Sequence, residues 1–121
     1  MSLGDTIAAV ATAFGEAAIG VVRTSGPNAL SFAQRLAGAS LGDVPSHRAV
    51  LRRLRDEDGI IDHALVLVFR APRSFTGEDV VEYHCHGGPA TLDRLTRALS
   101  RAGARMAEPG EFTRRALAYG K

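Results

Sequence analysis

Two strand-like runs joined by a short acidic turn constrain this chain more than any other feature. Arg48 to Leu54 and Ile60 to Phe69 carry strand patterns, and Asp56-Glu57-Asp58-Gly59 between them ends in an Asp-Gly pair. That dipeptide suits the tight turns of hairpins. With so short a link the two strands must be antiparallel neighbours, because a parallel pair needs a crossover of a dozen or more residues. A strict βαβ repeat is thereby excluded for the middle of the chain.

The flanking segments read in the same terms. Thr6 to Ala11 and Ile19 to Arg23 are short apolar strands around the small-residue segment Thr12 to Ala18. Ser25-Gly26-Pro27 is expected to open a helix, with Ser25 as cap, Pro27 in the first turn and Gly38 as the stop. Asp79 to His86 reads as a strand ended by Gly87-Gly88-Pro89, and residues 39–47 and 72–76 as loops. From about Pro89 to Ala102, Leu92, Leu95, Leu99 and Ala102 fall at helical spacing, while Arg94, Arg97 and Arg101 form a second stripe that reads as a solvated face. Ala104 to Ala107 suits an edge strand. Pro109-Gly110-Glu111-Phe112 starts a last helix that ends abruptly at Lys121, as at a fragment boundary. The expected fold class is α+β, a mixed, partly antiparallel sheet with about three helices.

A chain of 121 residues can bury roughly two thirds of its unfolded surface and needs no disulfide or metal staple. The single Cys85 excludes an internal disulfide framework and fits a reducing compartment. Fifteen basic and 13 acidic residues leave a net charge of +2, too small by itself to mark a nucleic-acid footprint. Every basic residue but Lys121 is arginine, which reads as composition bias. No run approaches eighteen apolar residues, and Met1 to Asp5 lacks the basic and apolar regions of a signal peptide. Neither membrane insertion nor export is expected, and the location inferred is cytoplasmic.

Gly15-Glu16-Ala17-Ala18-Ile19-Gly20 has the glycine spacing of a P-loop, but Val21 and Val22 follow where lysine and a hydroxyl residue are needed. The glycines read instead as a tight loop and a close backbone approach. Thr76 to Gly88 is the densest polar segment. Strand alternation places Val81, Tyr83 and Cys85 on a core face, and Val80, Glu82, His84 and His86 on the other. Cys85 then points away from both histidines as a buried thiol. Glu82, His84 and His86 could form a metal set or, more simply, a polar pocket wall. Gly87-Gly88-Pro89 opens either an anion-binding helix start or a plain strand-to-helix turn.

Five blocks carry a resemblance: Asp5-Thr6-Ile7; Gly20 to Pro27; Ser74 to Glu82; His84-Cys85-His86-Gly87-Gly88-Pro89; and Glu108 to Ala116. In order and spacing they closely resemble the N-terminal domain of the MnmE (TrmE) tRNA-modification GTPases, over essentially the whole chain. The resemblance implies a folate-binding and homodimerising domain at 1–121, similar in fold to the tetrahydrofolate-binding part of glycine-cleavage aminomethyltransferases. It implies that 5-formyl-tetrahydrofolate is held at Arg23, Glu82 and Lys121, with one further lysine that this chain lacks. Glu78, Asp79 and Arg73 are polar neighbours with weaker claims.

In the family the complete protein is a GTP hydrolase, using GTP, magnesium and potassium in a domain separate from this one. With the flavoprotein MnmG it adds an aminomethyl-type group to C5 of the wobble uridine in tRNA. No residue is assigned a catalytic role. One departure stands out: the family often has Pro-Pro-Gly-Arg-Gly-Gly where this chain reads Ala13-Phe14-Gly15-Glu16-Ala17-Ala18. Two other readings stay open, a pure homodimerisation module without folate and a small metal-binding domain on Glu82, His84 and His86.

Overall fold

The computed structural model describes residues 4–11 and 19–120. Lys121 and the segment 12–18, including the departing loop, lie outside the described residues. The elements are β1 (Ile7–Val10), β2 (Gly20–Ser25), α1 (Ala29–Ala37), β3 (Arg48–Asp56), β4 (Gly59–Phe69), β5 (Val80–Cys85), α2 (Pro89–Ala102), β6 (Arg105–Met106) and α3 (Glu111–Ala118). They build one six-stranded sheet in the order β3-β4-β5-β2-β1-β6. All neighbours are antiparallel except β1 and β6, which run parallel. The fold is therefore α+β with a mixed sheet.

The acidic turn closes β3 onto β4 as its residue types demand, with Asp56 opposite Gly59 and a bulge between Leu54 and Arg55. One sheet face carries Val22, Tyr83, Val66, Val81 and Val68, and helices α1 and α2 bury it with Phe32, Leu36, Leu92, Leu95 and Leu99. Helix α1 ends at Gly38 in the left-handed region. Its start differs from the expected one. Asn28 occupies the cap position without a side-chain cap bond, and Pro27 lies outside the helix. Ser25 instead ends β2, because its hydroxyl donates to Glu78 Oε1 at 2.7 Å and pairs with Thr76 Oγ1 at 2.7 Å. Buried partners 51 and 53 residues away thus outweigh a local cap.

Close packing accounts for Gly20: a Cβ there would lie 2.5 Å from Leu92 Cδ1, so any larger residue would force the Leu92 side chain to move. The arginine stripe on α2 is more than a solvated face. Arg94 donates from Nε and Nη2 to the two oxygens of Asp56, both at 2.7 Å, and so fastens α2 to the hairpin turn. That pairing holds the Asp56 carboxyl down at about 2. Arg101 reaches Glu57 at 3.5 Å, and Arg97 pairs with Asp93 on its own helix.

The second sheet face is covered only in part. Helix α3 and the loop 70–79 close over Ile7, Ser25 and Val80. Arg115 of α3 is fully buried there, donating to the Asp5 carbonyl at 2.8 Å, Asp5 Oδ1 at 2.6 Å and Glu78 Oε1 at 3.0 Å. Arg105 of β6 grips the equally buried Glu111 at 3.0 and 2.5 Å, and its hydrogen bonds, the largest influence, bring that carboxyl down to about 2. This ionic lattice ties α3 to the sheet.

Candidate functional site

Beyond the edge of α3 the second face stays open. Strands β2 and β5 place Arg23 directly opposite Glu82, and β4 adds Leu67 beside Glu82 and Leu65 beside His84. Because paired residues share a face, the three strands present a polar centre on a partly exposed apolar floor of Val21, Leu65 and Leu67.

The centre is organised around the Glu82 carboxylate. Arg23 approaches Oε2 with both Nε and Nη2 at 2.8 Å, while His84 Nε2 lies 3.1 Å from Oε1. The side chains of Arg23 and Glu82 are 27% and 16% exposed, so the pair is partly shielded yet reachable. Burial pushes the Glu82 carboxyl up, but the hydrogen bonds from His84 and Arg23, with the charge of Arg23, outweigh it and leave the group below its ordinary value. Glu82 is therefore a carboxylate at neutral pH, able only to accept hydrogen bonds. The Arg23 guanidinium also lies 5.4 Å from the Phe75 ring centroid and 5.8 Å from that of Phe112, within cation–π range. Phe75 is 52% exposed and stands at the rim. A planar, hydrogen-bonding molecule would find N–H acceptors at Glu82, a cation at Arg23 and an aromatic face at Phe75.

The other expected residues fall elsewhere. Tyr83 and Cys85 point into the helix-covered core, as strand alternation requires, and burial, then the nearby Asp62, pushes the Cys85 thiol up to about 12. His86 leaves the strand: its N–H donates to Asp62 Oδ2 at 2.8 Å and its Nδ1 lies 3.0 Å from the His63 carbonyl. His86 is thus not brought to Glu82 and His84, and among the described residues no group of three metal-ligating side chains forms. Glu78 belongs to the buried lattice, and Asp79 Oδ1 accepts the Ala71 N–H within the loop. Arg73 lies in the same loop, its N–H donating to the Arg70 carbonyl. At Gly87 a Cβ would lie 2.0 Å from Thr91 Oγ1. The Thr91 side chain therefore packs over Gly87, while the space around Gly88 stays open.

Phe75, Phe112 and the Arg115 lattice carry no role in the residue-by-residue reading, although all lie within blocks of the family resemblance. Their signal is three-dimensional. The rings matter because they flank Arg23, and the lattice because it sets the position of the helix that carries Phe112.

Comparison with known proteins adds a lineage to this geometry. The family model described as "GTP-binding protein TrmE N-terminus" matches residues 6–121. Proteins named tRNA modification GTPase MnmE are similar throughout: that of Salinibacter ruber is 54% identical over 123 residues, and that of Chlamydia trachomatis 49% over 121, each covering 100% of this chain and 27% of the relative. The Shouchella clausii protein is 48% identical over 97% of this chain and 26% of its own length. The chain thus spans about a quarter of the length of the curated relatives that it matches.

Proposed function

The chain belongs to the family of N-terminal domains of the GTP-binding protein TrmE, and from that premise we propose that it is the folate-binding and dimerisation module of a tRNA-modification GTPase. The observation that carries the folate reading is the Arg23–Glu82 pair, held in register on an open sheet face beside the exposed Phe75 ring. An ionised carboxylate so placed can accept paired N–H groups of a reduced pterin, which a neutral amide could only half replace. Arg23 suits an anionic or carbonyl oxygen, and Phe75 offers a stacking surface. Lys121, the third residue assigned to 5-formyl-tetrahydrofolate, lies outside the described residues.

On this reading the domain shares its architecture with the folate-binding part of glycine-cleavage aminomethyltransferases and pairs with a second copy. It works in the cytoplasm with MnmG on the wobble uridine of tRNA. GTP, magnesium and potassium belong to the GTPase part of the longer protein, not to these 121 residues, which lack the lysine and hydroxyl of a P-loop at 21–22. No helix among the described residues is long and apolar enough to cross a membrane.

A second reading, homodimerisation alone, draws on Leu51 and Leu65. They face each other across β3 and β4 and are 59% and 38% exposed. Sedimentation combined with titration of 5-formyl-tetrahydrofolate separates the two. A dimer that binds the folate supports the first reading, and a dimer that ignores millimolar folate supports the second.

A further inference from the structure

The net charge of +2 conceals an uneven distribution. Asp5, Asp56, Glu57, Glu78, Glu82, Asp93, Glu108 and Glu111 all make ion pairs, and they draw on Arg23, Arg94, Arg97, Arg101, Arg105, Arg114 and Arg115. Strand β3 is different. It carries Arg48, Arg52, Arg53 and Arg55 with no acid before Asp56, and Arg35 of α1 lies nearby. Among the described residues none of these five guanidiniums has an acidic partner, and all but the half-buried Arg52 belong to exposed residues.

Their placement concentrates the charge. β3 is the sheet edge, paired only with β4 among the described residues. Arg52, Arg53 and Arg55 line an open hollow of about 400 Å³ with Ala37, Gly38 and Leu51, where the end of α1 meets the edge. Arg55 continues with Arg35 and Arg101 into an adjoining hollow of about 420 Å³. Asp56 and Glu57 enter this second hollow but are already engaged by Arg94 and Arg101. The acidic turn therefore bounds the strip at one end without neutralising it.

We propose that the arginine-lined edge of β3, with Arg35 beside it, is a docking surface for the phosphate backbone of RNA. The guanidinium fork matches phosphate oxygens, and unpaired arginines in a row release counterions when a polyanion binds. Two features favour this occupant over an acidic peptide adding as a seventh strand. The bulge between Leu54 and Arg55 interrupts the edge register, and closely spaced charges on an edge oppose strand addition. The hollow lined by Arg52, Arg53 and Arg55 contains no aromatic ring, so the contact reads phosphates and not bases. The inference rests on the tRNA reading above, and it is independent of the folate site.

The test is fluorescence anisotropy of a labelled transfer RNA against the 121-residue chain, with salt varied from about 50 to 200 mM. The triple variant Arg48→Gln, Arg53→Gln, Arg55→Gln is expected to bind at least tenfold more weakly at the low-salt end. The slope of log affinity against log salt should flatten by about 2, at somewhat under one unit per lost phosphate contact. Lysine at the same three positions should restore the slope, and Arg97→Gln, on the exposed face of α2, should leave it unchanged. Four outcomes overturn the proposal: no binding by the parent at low salt, an unchanged slope in the triple variant, no rescue by lysine, or equal affinity for poly-glutamate of the same charge. Titrating the parent with folate tests the preceding reading separately, so either can fail alone.

Discussion

Replacing Arg115 by methionine tests whether the buried lattice holds α3 in place. The guanidinium is fully buried and its removal affects three acids unequally. Asp5 keeps Arg105 at 2.6 Å, and Glu111 keeps it at 3.0 and 2.5 Å, so both retain a cation. Among the described residues Glu78 keeps only Ser25 at 2.7 Å and Tyr119 at 3.4 Å. Among the described residues one buried carboxylate is therefore left without a cation, which places the cost at the lower part of the range for breaking a buried pair, about 3 kcal/mol. For a domain of this size that is a drop of about 12 °C in melting temperature, at roughly 4 °C per kcal/mol.

Urea unfolding with an unchanged m value gives the number directly. Glu78→Gln added to Arg115→Met should recover about 1–2 kcal/mol, because it removes the orphaned charge. A single-variant loss below about 1 kcal/mol, or strictly additive losses in the double variant, would refute the reasoning.

Two further outcomes follow from the geometry. Asp56 and Glu111 both have folded values of about 2, and Asp5 is also lowered, through hydrogen bonds from Arg94 or Arg105. Each lies below its unfolded value, so its stabilisation is complete above the ordinary carboxylate range and is lost as the pH falls toward 2. Urea midpoints should stay level between pH 7 and about 5 and decline below that; a midpoint that rises on acidification would contradict the pairing. Gly26→Ala should destabilise by about 1–3 kcal/mol, since Gly26 sits at φ 142° and a Cβ would lie 2.6 Å from Thr6 Cα. Gly88→Ala, with φ −77° and open space around it, is the near-neutral comparison in the same thermal melt.

Much of the fold was legible because its signals are local. The Asp-Gly turn specifies the hairpin, and the leucine spacing specifies α2 from Pro89 to Ala102. Alternation along β5 separates Glu82 and His84 from Tyr83 and Cys85. What the residues do not display is which distant groups meet. Ser25 reads as a cap until Thr76 and Glu78 are brought to it. Arg115 and Glu111 fall in the last helix of the sequence, and nothing near them in the chain announces Asp5, 110 residues from Arg115.

The candidate site divides in the same way. That Glu82 lies on an outward face follows from period-two geometry, while its pairing with Arg23 depends on the β2–β5 register across 59 residues. Family resemblance names both residues as ligands of one folate, and the strand register is what brings them within 2.8 Å of each other. The resemblance assigned no role to Phe75 or Phe112, whose positions beside Arg23 emerge only in three dimensions.

Glu82 is the proposed acceptor for the N–H groups of a reduced pterin. Isothermal titration of 5-formyl-tetrahydrofolate into the parent chain and into Glu82→Ala tests it most directly. The predicted result is binding by the parent and at least a tenfold loss in the variant, about 1.4 kcal/mol. Equal affinity of the two proteins, or no binding by the parent, would contradict it.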